Sequence, residues 1–198
     1  MRRSSVLLLS TVVALFTVCR SAEAVPIAEF TTGINGGTFF VGQSVTTPGA
    51  GPWNDLAFNW FDLNGAAVAG GTLFVYDQAF AGNPAALSAA APGFVGQSTT
   101  IVGGVWHFAP SVVLQANTQY FFYSSVALSV SGSGGPGTAY PGGSAYFSDG
   151  AEAFFTDPDD DANFRLTGAT VPEPATGLLV LTGLAAARLT RRRHARQQ

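Results

Sequence analysis

Hydrophobic and polar residues alternate most regularly between positions 120 and 131. Tyr120, Phe122, Ser124, Val126, Leu128 and Val130 fall on one side of an extended chain, and Ser125, Ala127, Ser129 and Ser131 fall on the other. That is the two-residue period of a strand with one buried and one wet face. Shorter apolar stretches at 37–45, 55–62, 71–77, 97–102, 105–109, 144–148 and 163–167 are separated by glycine, proline and asparagine, the punctuation of an all-β chain. The alanine-rich connection 79–93 has room for a single helical turn, and the glycine-rich run 132–137 reads as a loop at a tip. The expected fold is an antiparallel β-sandwich with jelly-roll or Greek-key connections. Phe40-Val41-Gly42-Gln43-Ser44 returns as Phe94-Val95-Gly96-Gln97-Ser98. Two copies are too few for a solenoid, and they read either as equivalent strands of two sheets or as coincidence.

The ends follow different patterns. Arg2 and Arg3 precede an apolar run from Val6 to Val18, and Ala22-Glu23-Ala24 then supplies the small residues of a signal-peptidase site, so cleavage before Val25 is expected. The run is shorter than the roughly 20 residues of a permanent span. At the other end, Val171-Pro172-Glu173-Pro174 is followed by an apolar segment, 175–187, and a basic end, 188–198. The division is therefore 1–24 signal peptide, 25–170 ectodomain and 171–198 tail, with a signal helix and a short transmembrane helix expected at the two ends. About 145 residues remain between them, the size of one ordinary domain.

Charge sharpens this division. The net charge is −3, but every arginine except Arg165 lies in the terminal segments, and lysine is absent. The ectodomain carries Glu29, Asp55, Asp62, Asp77, Asp149, Glu152, Asp157, Asp159, Asp160 and Asp161, a field that disfavours nucleic acid as a partner. Cys19 is the sole cysteine and lies in the leader, so no disulfide or thiolate ligand is expected in the mature chain. Lipidation of Cys19 is the alternative, but Phe16-Thr17-Val18 lacks the small residues that usually precede such a site.

The order Pro-Glu-Pro, apolar segment, arginine cluster resembles the PEP-CTERM sorting signal, also known as the ice-binding protein C-terminal domain. In that family an exosortase recognises the Pro-Glu-Pro motif and processes the tail, typically in Gram-negative bacteria that make exopolysaccharide. The resemblance maps Pro172, Glu173 and Pro174 onto the recognition motif as substrate residues. It implies transit through the inner membrane to the cell surface or extracellular matrix. Each part has a physical basis. The prolines keep the motif extended, the apolar stretch enters the bilayer, and the arginines hold its end on the cytoplasmic side. The segment 71–76, with 114–121 later, also resembles the choice-of-anchor β-sandwich domains found upstream of such tails. That likeness covers about half the ectodomain and implies architecture without a reaction.

Candidate chemistry in the ectodomain is sparse. His107 is its only histidine, between Trp106 and Phe108, without a Gly-x-Ser-x-Gly elbow. Asp157, Asp159, Asp161 and Asn163 offer the hard oxygens that calcium prefers. The plainer reading is a solvated acidic turn with Asp161 paired to Arg165. Trp53, Trp60, Tyr76 and Tyr140 are candidates for stacking on sugar rings, and core packing accounts for such residues equally well. The function expected is a non-enzymatic surface or matrix protein, structural or adhesive in an exopolysaccharide or biofilm setting. A carbohydrate-binding module is the alternative, and a secreted hydrolase with two nearby carboxylates is the third reading. The expected partners are the signal peptidase and exosortase, the membrane and exopolysaccharide, with no cofactor beyond a structural calcium ion. Ice binding would need a flat threonine-rich face, and Thr46-Thr47 with Thr99-Thr100 falls short of one.

Overall fold

The computed structural model describes residues 23–133, 140–157 and 160–171. Eleven strands run in chain order: β1 (Val25–Phe30), β2 (Asn35–Thr46), β3 (Trp53–Phe61), β4 (Ala67–Val68), β5 (Leu73–Tyr76), β6 (Phe94–Val102), β7 (Val105–Phe108), β8 (Gln119–Gly132), β9 (Ala145–Ser148), β10 (Phe155–Asp157) and β11 (Phe164–Thr170). They form one curled, all-antiparallel sheet in the order β1-β11-β3-β7-β6-β5-β8-β2-β9-β10, with β4 paired to β3. Strand β6 turns the corner. Its first half pairs with β5, as in Phe74–Gln97, and its second half pairs with β7, as in Val102–Val105. The sheet thereby folds over on itself into a sandwich-like, all-β unit.

The apolar stretches expected to be strands all take part in this sheet. The chain also forms β1, β4 and β10, which are short or interrupted by proline and carry little periodic signal. The alanine-rich connection contains one 3-10 turn, Pro84–Ala86, capped by the Asn83 side chain, whose oxygen accepts from the Ala86 amide. Val102-Gly103-Gly104-Val105 closes the β6–β7 hairpin, with Gly103 and Gly104 at φ of +58° and +78°. A two-residue loop of that twist needs left-handed backbone at both positions, which glycine adopts without a steric cost.

Inside the fold, Phe58 of β3 stacks on Phe122 of β8 across the sandwich at 4.8 Å and on Phe164 of β11 at 5.8 Å. Trp60 and Trp106 close the same core, edge to face at 5.2 Å. Burying such aromatic groups is the main favourable contribution to this fold, since each removes a large apolar area from water.

Strand β8 departs from its expected wet face. Tyr120, Phe122, Leu128 and Val130 do face the main core, but Phe121 and Tyr123 on the opposite side are buried in a second cluster with Phe74, Tyr76, Leu87 and Phe154. Residues 79–93 and the turn before β10 cover that side, so a strand read as one-faced is buried on both faces over its first half. Val126, expected inside, is instead exposed. Between the pairs Phe40–Ala127 and Gly42–Tyr123, one residue of β2 opposes three of β8, and this bulge turns Val126 outward.

Candidate functional site

The acidic run was the sharpest polar signal in the sequence, and the fold draws the last part of it inward. Asp161 is completely buried. One carboxylate oxygen accepts from the Gln43 side-chain amide at 2.6 Å, and the other accepts from the Tyr140 backbone amide at 2.6 Å. Its backbone amide donates to the Ser133 hydroxyl at 3.0 Å, and its carbonyl accepts from the Ser133 amide at 2.8 Å. Gln43 is held in turn, because Ala162 donates to its oxygen and its amide group also donates to the Ser44 carbonyl. Burial pushes the Asp161 carboxyl up to about 6, while the hydrogen bonds from Gln43 and Tyr140 oppose that rise and the neighbouring Asp160 adds to it.

Asn163 is equally committed. Its amide nitrogen donates to the Gly33 carbonyl at 2.8 Å and to the Ser131 hydroxyl at 2.7 Å, and its oxygen accepts from the Gly33 amide at 2.9 Å. These bonds, with the Gly132–Ala162 bridge and the pairing of Phe61 with Asn163, stitch β3 to the end of β8 on the side of the sandwich away from β6. Two of the four residues read as calcium ligands are therefore internal hydrogen-bonding groups with their oxygens already engaged. Asp159 and the Asp157 side chain lie outside the described residues. Among the described residues, no group of three His, Cys, Asp or Glu side chains is placed to hold a metal ion. The expected Asp161–Arg165 pair is also replaced, because Arg165 bonds Glu29 at 2.7 Å on the surface and its guanidinium lies 5.4 Å over the Phe61 ring.

Three of the four aromatic candidates are corrected. Trp53, Trp60 and Tyr76 are buried at 3%, 0% and 0% exposure. Trp53 and Trp60 belong to the main core, and Tyr76 belongs to the second cluster, where its hydroxyl donates to the Ser88 carbonyl. None of the three offers a ring to a ligand. Tyr140 is half-buried and packs edge to face on Phe164 at 5.2 Å. Trp106 is buried too and donates to the Gly71 carbonyl at 3.3 Å. His107 points outward from β7, and its carbonyl accepts from the Thr99 hydroxyl.

The half-exposed aromatic row lies elsewhere. Phe39, Phe147 and Phe155 line up across β2, β9 and β10, with ring centroids 5.5 and 6.2 Å apart. Phe39 and Phe147 form one wall of a cleft that Asn35, Val130 and Asp160 complete. Sequence reasoning passed over these phenylalanines because nothing in their spacing distinguishes a ring at a sheet edge from one in the core.

The terminal signals meet the fold at one place. Ala24 is exposed, and β1 begins at the next residue, Val25. Strand β11 ends at Thr170, paired with Trp53, and the Val171 amide donates to the Pro52 carbonyl at 2.9 Å. Val25 pairs with Gly168, so both ends leave from the same pole of the sheet. Ala22, Pro172, Glu173 and Pro174, with the apolar segment and the basic end, lie outside the described residues, as do the two expected terminal helices. Among the described residues, no helix is long and apolar enough to cross a membrane. No family model, curated protein or solved structure matches this chain.

Proposed function

We propose that this chain is a non-enzymatic, exported surface or extracellular-matrix protein of a Gram-negative bacterium. It is structural or adhesive in an exopolysaccharide or biofilm setting and is sorted by an exosortase acting on its tail. One observation carries this reading: Val171-Pro172-Glu173-Pro174, an apolar segment and an arginine cluster follow in that order in a chain that also opens with Arg2-Arg3, an apolar run and Ala22-Glu23-Ala24. The end of β11 at Thr170 supports it, since the motif follows directly on the last strand of the fold, and its prolines favour an extended backbone. The finer architectural reading, a jelly-roll or Greek-key sandwich, belongs to the same proposal. Its support is that chain-distant strands such as β3 and β11, or β2 and β8, are neighbours. With Trp53, Trp60 and Tyr76 in the core, the carbohydrate-module alternative loses three of the four rings on which it rested.

The test is cell fractionation with intact-mass analysis in the native host. The wild type is compared with a variant carrying Pro172→Ala, Glu173→Ala and Pro174→Ala. The proposal expects wild type outside the inner membrane, trimmed near Val171, and the variant retained in the inner membrane. If both keep residues 191–198 and stay in the inner membrane, the tail is an ordinary anchor and the sorting reading is wrong.

A further inference from the structure

The sandwich has two unlike poles. At the pole where Val25 and Val171 emerge, the loops 46–52 and 109–118 interlock. The Thr47 hydroxyl donates to the Gln115 carbonyl at 2.6 Å and accepts from the Thr118 amide at 3.0 Å, and the Asn117 amide donates to the Pro48 carbonyl. Neither loop contains a charged residue, in an ectodomain where acids greatly outnumber the single arginine. Asp55, exposed two residues after Trp53 in β3, and Asp77, exposed where β5 ends level with the start of β8, stand at the same pole beside these loops. The opposite pole carries Asp62 and the exposed side chains Ile34, Leu63 and Val102.

Chain length ties the uncharged pole to its surroundings. Only Val171, Pro172, Glu173 and Pro174 separate the end of β11 from the apolar segment that starts at Ala175. Four extended residues reach at most about 14 Å. The nine residues of β3 run pole to pole over roughly 30 Å. A segment that enters a bilayer at Ala175 therefore leaves the Thr46–Pro52 pole close to the headgroups and the Leu63 pole far from them. The two loops themselves add no carboxylate that would face lipid phosphates at short range.

We propose that the pole built by loops 46–52 and 109–118 is the face of the sandwich that lies against the lipid headgroups while the tail is in the membrane, with the Leu63 and Val102 pole turned outward. The proposal rests on the reading of residues 175–187 as a membrane-entering segment.

The experiment uses the full chain in a Cys19→Ser background, reconstituted into vesicles of phosphatidylcholine and phosphatidylglycerol that contain headgroup-nitroxide lipid. A fluorophore is attached at Ala50→Cys or Gln115→Cys on the near pole, and at Leu63→Cys or Val102→Cys on the far pole; all four positions are exposed, so folding is not at stake. Given the short spacer, quenching is expected to be at least about twofold stronger at both near positions than at both far ones. Equal quenching at the two poles, or stronger quenching at Leu63 and Val102, overturns the proposed polarity while leaving membrane entry intact. A chain that does not float with the vesicles at all overturns both the polarity and the reading of the tail on which it rests.

Discussion

The side-chain amide of Gln43 donates to the carboxylate of Asp161 at 2.6 Å, across 118 positions of sequence and in complete burial. Among the described residues no cationic side chain is paired with this carboxylate, and Arg165 is engaged with Glu29. Both contacts to the carboxylate are donors, so the ionised form is the one the network satisfies, although burial opposes it.

A pH dependence follows. The Asp161 carboxyl titrates near 6 in the fold, whereas an unfolded aspartate titrates near 4. Between those values the native state holds the extra proton, so stability declines as pH rises through that window and is constant above it. The expected loss is on the order of 2–3 kcal/mol from pH 4 to pH 7. Asp62 and Asp149, held low mainly by backbone hydrogen bonds, act in the opposite sense. The measurement is therefore the difference between denaturant-unfolding free energies of wild type and Asp161→Asn across pH 4 to 8. If the two curves run parallel, the buried carboxyl does not titrate in this window.

Trp60 is expected to act as a core residue. Its ring meets Phe58 at 4.8 Å and Trp106 at 5.2 Å, and its indole N–H has no hydrogen-bond partner among the described residues. Trp60→Ala should cost about 3–5 kcal/mol, the usual penalty for emptying a large aromatic site. Trp60→Phe removes the orphaned donor and keeps most of the packing, so it should cost much less, about 1–2 kcal/mol. Chemical unfolding of the two variants distinguishes them, and a Trp60→Ala protein as stable as wild type would contradict the burial.

The second cluster makes its own prediction. The Tyr123 hydroxyl accepts the Phe80 amide at 3.2 Å, and its ring meets Phe154 at 4.7 Å. Tyr123→Phe leaves that amide without its acceptor at a cost of about 1–2 kcal/mol. Hydrogen exchange should then speed up at Phe80 and its neighbours while the amides of β3 and β11 stay protected. Unchanged exchange at Phe80 would mean that the hydroxyl does not hold this segment.

The Glu29–Arg165 pair should matter little. Its side chains are 33% and 46% exposed, and exposed ion pairs contribute about 0–1 kcal/mol. Glu29→Gln should shift the melting temperature by no more than a few degrees, with the shift shrinking in high salt. A large, salt-insensitive loss would assign Glu29 a role in the β1–β11 contact beyond charge.

Gly143 tests a close backbone approach. A Cβ there would fall 1.8 Å from the Ser44 carbonyl oxygen, inside the contact that lets Ser44 donate to the Ser144 carbonyl. Gly143→Ala should separate the Gly142–Ser144 segment from β2 and destabilise by several kcal/mol, a strain penalty of the kind seen with overpacking. Melting close to that of wild type would show that the segment moves aside at little cost.

Local pattern was enough for part of this. Period-two alternation marked β8, because side-chain direction along a strand is set by the backbone alone, and short apolar stretches between glycine, proline and asparagine marked most of β2, β3, β6 and β11. The charge partition and the terminal motifs are likewise properties of residue order. Tertiary structure decided the rest. Whether Phe121 and Tyr123 face water depended on residues 79–93 folding over them, and whether Asp161 met a cation or Gln43 depended on which segments closed the edge opposite β6. The two Phe-Val-Gly-Gln-Ser segments make the point within one chain: Gln43 is buried on Asp161, while Gln97 is exposed on β6. Identical local sequence met different neighbours, and burial is a property of neighbours distant in sequence, which pairing and packing bring together only in the folded chain.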